Sequence, residues 1–523
     1  MGASRFLGLA VVVFLVFTAG CTDGGPAGPR GPSPVATGEP AYTPPRGSGA
    51  RKPALNSDFN GDGVQDAVVS APRSGVLAVL YGGSGGASPA RSTWLTNRSE
   101  GVPGGGLSRF GSRTAAADLD RDGFADLVVT SHSSELNGTR DWFRFLVVWG
   151  SAGGLGRGRE GIRFEHPHAG GRPPGQGLGV AVCDVDGDGY PDIATVGGAY
   201  DNTRAPDAGE NGGTGALQVL PGPITAHSAD RAVRVEGAGD QLAAGDVDGD
   251  GRCDLAVGRE RVYPGAAREY LGPARRIPGG GMPDHSHPDS SVIADVNGDE
   301  FGDLVLGIEE SADPVTGQPV TESHGGRVQV HLGGPDGLSP PAQEFHQGSP
   351  GIPGDVEALR EDDTDGYGDM IPESFGSALA AGFINDDDYA DIAIGIPGER
   401  VASAGHEGSV LVLYGGGDGL RTDGLQFLRP DPAETADDDV PDHEFGSSLR
   451  LLDLSGDGRA ELLVGSPYAY AKGHGESTMG GIRCFPAGPR SLDTEESWSA
   501  SPRSLGIGDP GGGDETFGYD LGR

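Results

Sequence analysis

Short apolar, β-branched runs recur along this chain, each bounded by Gly, Pro or a knot of acidic residues. They read DAVVSAP from Asp66, DLVVTS from Asp126, DIATVGG from Asp192, DLAVGR from Asp254, DLVLGI from Asp303, DIAIGIP from Asp391 and ELLVGSP from Glu461. Such runs are too short for amphipathic helices and read as buried strands between turns. The fullest copy of the surrounding unit is FGSALAAGFINDDDYADIAIGIPGE from Phe375, GSVLVLYGGGDGL from Gly408 and LQFLRP from Leu425. It holds four strands, A to D, with a polar nine-residue segment in the turn from A to B.

Those polar segments start at residues 58, 118, 184, 246, 295, 383 and 453. A self-similar unit at such spacing specifies an array. Seven four-stranded units predict an all-β chain folded as a seven-bladed β-propeller with four-stranded antiparallel blades. The first unit lacks the Phe-Gly that opens strand A at Phe110, Phe375 and Phe445 (Leu178-Gly179 in the third unit), while the chain ends on ETFGYDLGR, a Phe-Gly strand with no segment after it. The ring should therefore close by pairing residues near Phe517 with the strand after Asp66, which also removes an exposed sheet edge.

The nine-residue segments carry the candidate chemistry. The first four place oxygen-bearing side chains at positions 1, 3, 5 and 9 and a backbone carbonyl at position 7. The residues are Asp58, Asn60, Asp62, Val64 and Asp66, then Asp118, Asp120, Asp122, Phe124 and Asp126. Asp184, Asp186, Asp188, Tyr190 and Asp192 follow, and then Asp246, Asp248, Asp250, Arg252 and Asp254. The fifth set (Asp295, Asn297, Asp299, Phe301, Asp303) has Glu300 in place of the turn glycine, and the seventh (Asp453, Ser455, Asp457, Arg459, Glu461) has Ser at position 3. The sixth keeps Asn385, Asp387, Tyr389 and Asp391 but has Phe383 at position 1. Hard oxygen donors in this number suit calcium, and about four to six ions are expected across the ring. A calcium loop between two helices needs Glu at position 12; here that position holds Val69, Val129, Thr195 and Val257 in the best copies, so these loops join strands. The alternative is a set of acidic turns held by Asx-type hydrogen bonds. With each site built from one local segment and no attached base, the ion is expected to be structural.

On the Phe-Gly openings, the acidic loops and the Gly-x-Pro segments at Gly395-Ile396-Pro397 and Gly465-Ser466-Pro467, residues 56–523 resemble the FG-GAP repeat family. That family forms the seven-bladed propeller at the head of integrin α subunits and occurs in many bacterial surface proteins. The resemblance implies calcium sites that stiffen the blades and loops that bind partners.

The N-terminus and composition set the expected compartment. Phe6–Phe17 is apolar, follows Arg5, and is shorter than the roughly 20 residues needed to span a bilayer. Residues 1–20 thus read as a signal peptide. Thr18-Ala19-Gly20-Cys21 resembles a bacterial lipobox, with Thr18 in place of the usual Leu, so Cys21 is the expected lipidation site and simple secretion the alternative. Residues 21–55, rich in Pro, Gly and Ser, read as a flexible tether. The expected location is extracellular, anchored to the bacterial membrane through lipid. A formal net charge of −38 argues against nucleic acid as a partner. Cys183, Cys253 and Cys484 remain, an odd number that cannot all pair internally.

Long B-to-C and D-to-A connections should gather at the rim opposite the acidic loops, which is where a rigid scaffold usually carries recognition. This rim would present Trp142, Tyr200, Arg204, Arg400, His406, Tyr468, Tyr470, Lys472 and His474. Glu361–Asp369 (EDDTDGYGD) repeats the cation spacing without a following strand, and His166/His168 and His285/His287 lack an evident third ligand for zinc. Gly82–Gly86 fits a nucleophile-elbow spacing but lies where a hairpin turn is expected, not a strand-to-helix turn. The expected function is therefore a calcium-stiffened, monomeric, non-enzymatic surface module that binds a protein or glycan. The alternative is a secreted hydrolase using the same rim.

Overall fold

A computed structural model describes residues 56–104, 107, 109–134, 141–165, 174–199, 215–238, 241–279, 288–308, 325–354, 374–399, 407–430, 444–469, 478–507 and 514–522. All lie within one compact unit, Thr37–Arg523. The signal, lipobox and tether assignments fall outside the described residues.

Blade six shows the plan. Strand A (Leu379–Gly382) pairs B (Asp391–Ile396), B pairs C (Ser409–Tyr414), and C pairs D (Arg421–Leu428), all antiparallel. The same meander builds blade two from Thr114–Ala117, Asp126–Ser134, Asp141–Val148 and Ile162–Glu165. Blade three runs through Pro174–Cys183, Asp192–Ala199, Gly215–Leu220 and Val233–Ala238. Blade five runs through Pro288–Ala294, Asp303–Ile308, Arg327–His331 and Pro341–Phe345. Blade seven runs through Ser448–Leu452, Glu461–Ser466, Thr478–Phe485 and Trp498–Ala500. Blade four is the shortest. Its strands are Leu242–Gly245, Asp254–Val257, Arg261–Tyr263 and Arg275–Arg276, with a two-stranded hairpin (Gly265–Ala266, Tyr270–Leu271) inserted between C and D. Among the described residues no helix is long and apolar enough to cross a membrane.

Strand B is buried along its whole length in blades one, four, five, six and seven. That is why its sequence is a continuous apolar run and not an alternating one: each sheet is sandwiched between two neighbours. The core is accordingly divided into clusters between blades. One joins Val410 and Val412 of blade six to Leu449, Leu462 and Val464 of blade seven. Strand A is innermost, and residues from Ala116, Ala181, Ala243, Val292, Ala380, Leu449 and Leu521 line a central channel of about 380 Å³.

The Phe-Gly and Gly-x-Pro motifs have one physical cause. Phe110, Phe375, Phe445 and Phe517 are buried, but the first three sit just ahead of strand A and do not open it, and Phe517 ends the strand Asp514–Phe517. There the backbone of each blade locks onto the preceding one: Phe375 N donates to Gly325 O (2.8 Å) and Phe445 N to Glu407 O (3.1 Å). The glycine that follows has a left-handed backbone, with φ of 89°, 97° and 86° at Gly376, Gly446 and Gly518. Its carbonyl presses on strand B of the preceding blade. A Cβ on Gly307, Gly395 or Gly465 would lie 1.8, 2.1 or 2.2 Å from the carbonyl oxygens of Gly376, Gly446 and Gly518. Only glycine admits that approach.

Blade one has three strands of its own, Ala67–Ala71, Val76–Leu80 and Ser92–Thr96. The chain end completes it. Asp514–Phe517 first pairs in parallel with strand C of blade seven, placing Phe517 beside Gly480. The following residues then bond strand B of blade one, through Gly518 N to Ser70 O (3.0 Å) and Ser70 N to Asp520 O (2.9 Å). Phe517 and Leu521 join a cluster with Ala67 and Val69 of blade one and Leu463 and Ile482 of blade seven. Closure thus follows the expected pairing, with an added contact to blade seven that repeats the Phe-Gly lock seen elsewhere.

Cys183 and Cys253 form a disulfide between blades three and four, and Cys484 is buried and free.

Candidate metal centres

From the second blade on, each nine-residue segment caps an A-to-B hairpin, and in the first it leads directly into strand B. The register pairs the residue before position 1 with position 9, as in Ala117↔Asp126, Cys183↔Asp192, Gly245↔Asp254 and Gly382↔Asp391. Within the loop, the position 1 carboxylate gathers backbone donors. Asp58 Oδ1 accepts from Gly61 N (2.7 Å) and Asp62 N (3.1 Å), and its Oδ2 from Gly63 N (2.8 Å). Asp184, Asp246, Asp295 and Asp453 do the same. The position 5 side chain accepts from the N–H of position 7 in every loop, at Val64, Phe124, Tyr190, Arg252, Phe301, Tyr389 and Arg459.

Position 9 has a structural duty that the sequence pattern did not reveal. Asp66 receives Phe59 N on Oδ2 (2.9 Å) and Gly82 N on Oδ1 (2.9 Å), tying the loop to the turn that follows strand C. Asp126, Asp192, Asp254, Asp303 and Asp391 are held in the same double clamp. Glu461 takes Leu454 N (2.6 Å). Burial pushes these carboxyls up: Asp66 and Asp126 go well above their usual range, Asp192 to about 7, and Asp254, Asp303, Asp391 and Glu461 to about 6. The apolar residues flanking position 9 were the available signal, since they place it inside the blade.

These hydrogen bonds are the ones expected of acidic turns, but they do not account for every oxygen. Asp120 Oδ1 and Asp248 Oδ1, both at position 3, are buried with no hydrogen-bond partner. Carboxylate oxygens converge in three loops, Asp118/Asp120/Asp122, Asp184/Asp186/Asp192 and Asp246/Asp248/Asp250, each set lying within 4.8 Å. Burial, then the adjacent Asp120, raise Asp122 to about 6. Each of these three clusters could coordinate a divalent cation such as calcium, and the unpartnered oxygens fit that use. Part of the crowding is met by arginine: Arg159 pairs with Asp120, Arg275 with Asp248 (3.2 Å), Arg252 with Asp250 and Arg421 with Asp387 (3.6 Å).

The weaker copies behave differently from one another. Glu300, in place of glycine, takes φ 71° and still donates its N–H to Asp295 Oδ2 (2.8 Å), so the fifth turn is preserved. In the sixth, the Phe383 side chain is 48% exposed where the others place a carboxylate. Ser84 occupies a C-to-D turn closed by Gly86 N to Gly83 O (2.7 Å), with no helix after it. Among the described residues there is no clear catalytic triad. Of the rim residues, Tyr468 is half-buried. Tyr200, Arg204, Arg400, His406, Tyr470, Lys472, His474, Glu361–Asp369 and the two histidine pairs lie outside the described residues, as does the side chain of Trp142.

Residues 58–129 match the FG-GAP-like repeat, and residues 445–478 match the FG-GAP repeat. Two stretches of the propeller, in blades one to two and in blade seven, thus match FG-GAP-type repeats. Mouse integrin alpha-IIb is 30% identical over 240 residues, which are 44% of this chain and 20% of that protein. The match thus spans a fifth of the integrin's length. Two solved structures are also similar to this chain. The exotype rhamnogalacturonan lyase YesX has a TM-score of 0.38 at 13% identity, with 79% of this chain and 70% of that one covered. The rhamnogalacturonan lyase YesW has a TM-score of 0.24 at 10% identity, with 85% and 69% covered.

Proposed function

We propose that this protein is a lipid-anchored, extracellular calcium-binding propeller that presents its B-to-C and D-to-A rim to a protein or glycan ligand. Loops one to four and, with Glu300 at the turn of the fifth and Ser455 at position 3 of the seventh, loops five and seven hold about four to six calcium ions, each taking six to eight oxygens. The ligands are the side chains at positions 1, 3 and 5, the position 7 carbonyl and a second lone pair of position 9. The observation that carries the cation reading is the pair of buried, unpartnered oxygens on Asp120 and Asp248. The binding reading is supported by topology: the acidic loops occupy one rim, so the long connections meet at the other, on a scaffold stiffened by closure. Cys21 carries the lipid, and the acidic charge keeps the module off nucleic acid and monomeric.

The test is the melting temperature with millimolar calcium and with chelator, for the native protein and for Asp120→Ala/Asp186→Ala/Asp248→Ala. A site saturated about a hundredfold above its dissociation constant adds roughly 2.7 kcal/mol, so a large calcium-dependent rise that shrinks in the variant is expected. No shift would reduce the loops to empty turns. Labelled palmitate in the native protein and none in Cys21→Ala tests the anchor.

A further inference from the structure

The seven loops touch one another in a ring, by one contact repeated at six of the seven junctions and a second found at all seven. The first is backbone to backbone: the N–H of position 8 donates to the position 1 carbonyl of the preceding loop. The pairs are Ala125 to Asp58 (2.8 Å), Cys253 to Asp184 (2.9 Å), Gly302 to Asp246 (2.7 Å), Ala390 to Asp295 (2.9 Å), Ala460 to Phe383 (2.7 Å) and, across the seam, Gln65 to Asp453 (3.3 Å). The second is the position 7 side chain lying on position 4 of the preceding loop. A Cβ on Gly61, Gly249 or Gly298 would fall 2.6, 2.7 or 2.7 Å from the ring of Phe124, Phe301 or Tyr389. Arg252 covers Gly187, Val64 covers Gly456, and Arg459 pairs with Asp386 at 3.0 Å.

One junction differs. Position 8 of the third loop is Pro191, which has no N–H to give to Asp118. There the contact reduces to the Arg121 guanidinium over the Tyr190 ring, 4.9 Å from its centroid.

We propose that cation occupancy is coupled between neighbouring loops around the ring, and that Pro191 interrupts the coupling between the second and third. This rests on the calcium reading above. The position 1 residue, whose carboxylate holds the ion in every loop but the sixth (Phe383), also holds, by its carbonyl, the segment of the next loop that lies between the position 7 carbonyl and the position 9 carboxylate, so the backbone link continues through the sixth loop. An ion that orders one loop therefore lowers the cost of ordering the next, and by linkage the effect is mutual. The sites thus form a line, not a circle, running from the third loop through the seam to the second. Its ends lie at Pro191 and do not coincide with the chain termini. Cys183 and Cys253 tie the first pair of that line covalently.

The experiment is a calcium titration of the full chain read by hydrogen exchange and mass spectrometry, because peptides over each loop report their own midpoints. Asp248→Asn/Asp250→Asn disables loop four and leaves the Asp246 turn intact. The midpoints of loops three and five should then rise by at least about fivefold, the low end of typical coupling, while loop two stays put. A second arm disables loop three with Asp186→Asn/Asp188→Asn: loop two should not move in the native background and should move once Pro191→Ala restores the donor. Unchanged midpoints in loops three and five, or a loop two that responds with Pro191 in place, would overturn the coupling. Loss of calcium-dependent protection in every loop of the native chain would instead remove the calcium reading itself.

Discussion

Replacing Phe517 with Ala should open the ring at its seam. The side chain is fully buried in the cluster that joins blades seven and one. Truncating a buried Phe costs about 3–5 kcal/mol in lost transfer energy and residual cavity. At Phe110, Phe375 or Phe445 the chain continues on both sides, so a cavity there loosens one blade junction. At Phe517 the hold of the residues that follow is narrow: Gly518 and Asp520 bond Ser70 of blade one, and Thr114 Oγ1 of blade two donates to Asp520 Oδ2 (2.8 Å). The Ser70 amide, which donates to Asp520 O, therefore reports the seam directly. A loss of 3 kcal/mol corresponds to on the order of a hundredfold faster exchange at that amide. The assay is urea unfolding in saturating calcium together with amide exchange at Ser70 for Phe517→Ala, Phe445→Ala and the native chain. Phe517→Ala should expose Ser70 while amides of strand B in blade six stay protected, and Phe445→Ala should leave Ser70 slow. A destabilisation under about 1 kcal/mol with unchanged exchange at Ser70 would refute the closure argument.

Three further outcomes are expected. Phe383→Asp supplies the missing position 1 carboxylate at little packing cost, since the phenyl ring is 48% exposed, and isothermal titration should then count one more bound calcium than in the native chain. Removing the disulfide as Cys183→Ser/Cys253→Ser opens a 70-residue loop and should cost up to about 4 kcal/mol, read as a lower urea midpoint that reductant no longer changes. His331 is held below its usual range by burial and by Arg259. A group with a depressed cationic pKa binds fewer protons folded than unfolded, so it costs stability as pH falls through 6.5 toward the folded value, and His331→Gln should flatten that part of the stability profile.

The number of blades, the strand order and the place of closure were legible because they depend on repetition: seven apolar runs, seven acidic segments, and a Phe-Gly without a loop answering a loop without a Phe-Gly. What each motif residue does was less legible, because it depends on contacts between blades. Gly395 reads as part of a Gly-x-Pro motif at the end of an apolar run, yet its smallness serves the Gly446 carbonyl of the next blade. Asp66 reads as a cation ligand, yet both its oxygens already take backbone donors. Pro191 has no place in the cation pattern, and only the neighbouring loops show that a donor is missing there. The disulfide was hidden for the same reason: Cys183 and Cys253 are 70 residues apart and meet only because consecutive blades stack. The rim connections differ from unit to unit, so the repeat carries no information about them.

Charge balance separates the loops further and ranks them. Loops one and five carry Asn at position 3 and loop seven carries Ser, which removes one negative charge from each. Loops two and four keep four carboxylates, but Arg159 pairs with the first, and Arg252 and Arg275 with the second. Loop three also keeps four, and among the described residues no arginine pairs with any of them. Arg231 acts on Asp186 electrostatically, while its Nη2 donates to the carbonyls of Pro221, Gly222 and Pro223. Burial and the neighbouring Asp186 and Asp184 lift Asp192 to about 7. The loop with the most uncompensated charge gains most from a divalent ion, and the disulfide beside Asp184 has already reduced the freedom that binding would otherwise remove. Loop three should therefore be the tightest site. In single substitutions Asp186→Ala should remove more of the calcium-induced rise in melting temperature than Asp120→Ala or Asp248→Ala, each of which leaves an arginine without its partner carboxylate. Equal losses in all three would mean that local charge does not set affinity here, and that the shared donor geometry alone does.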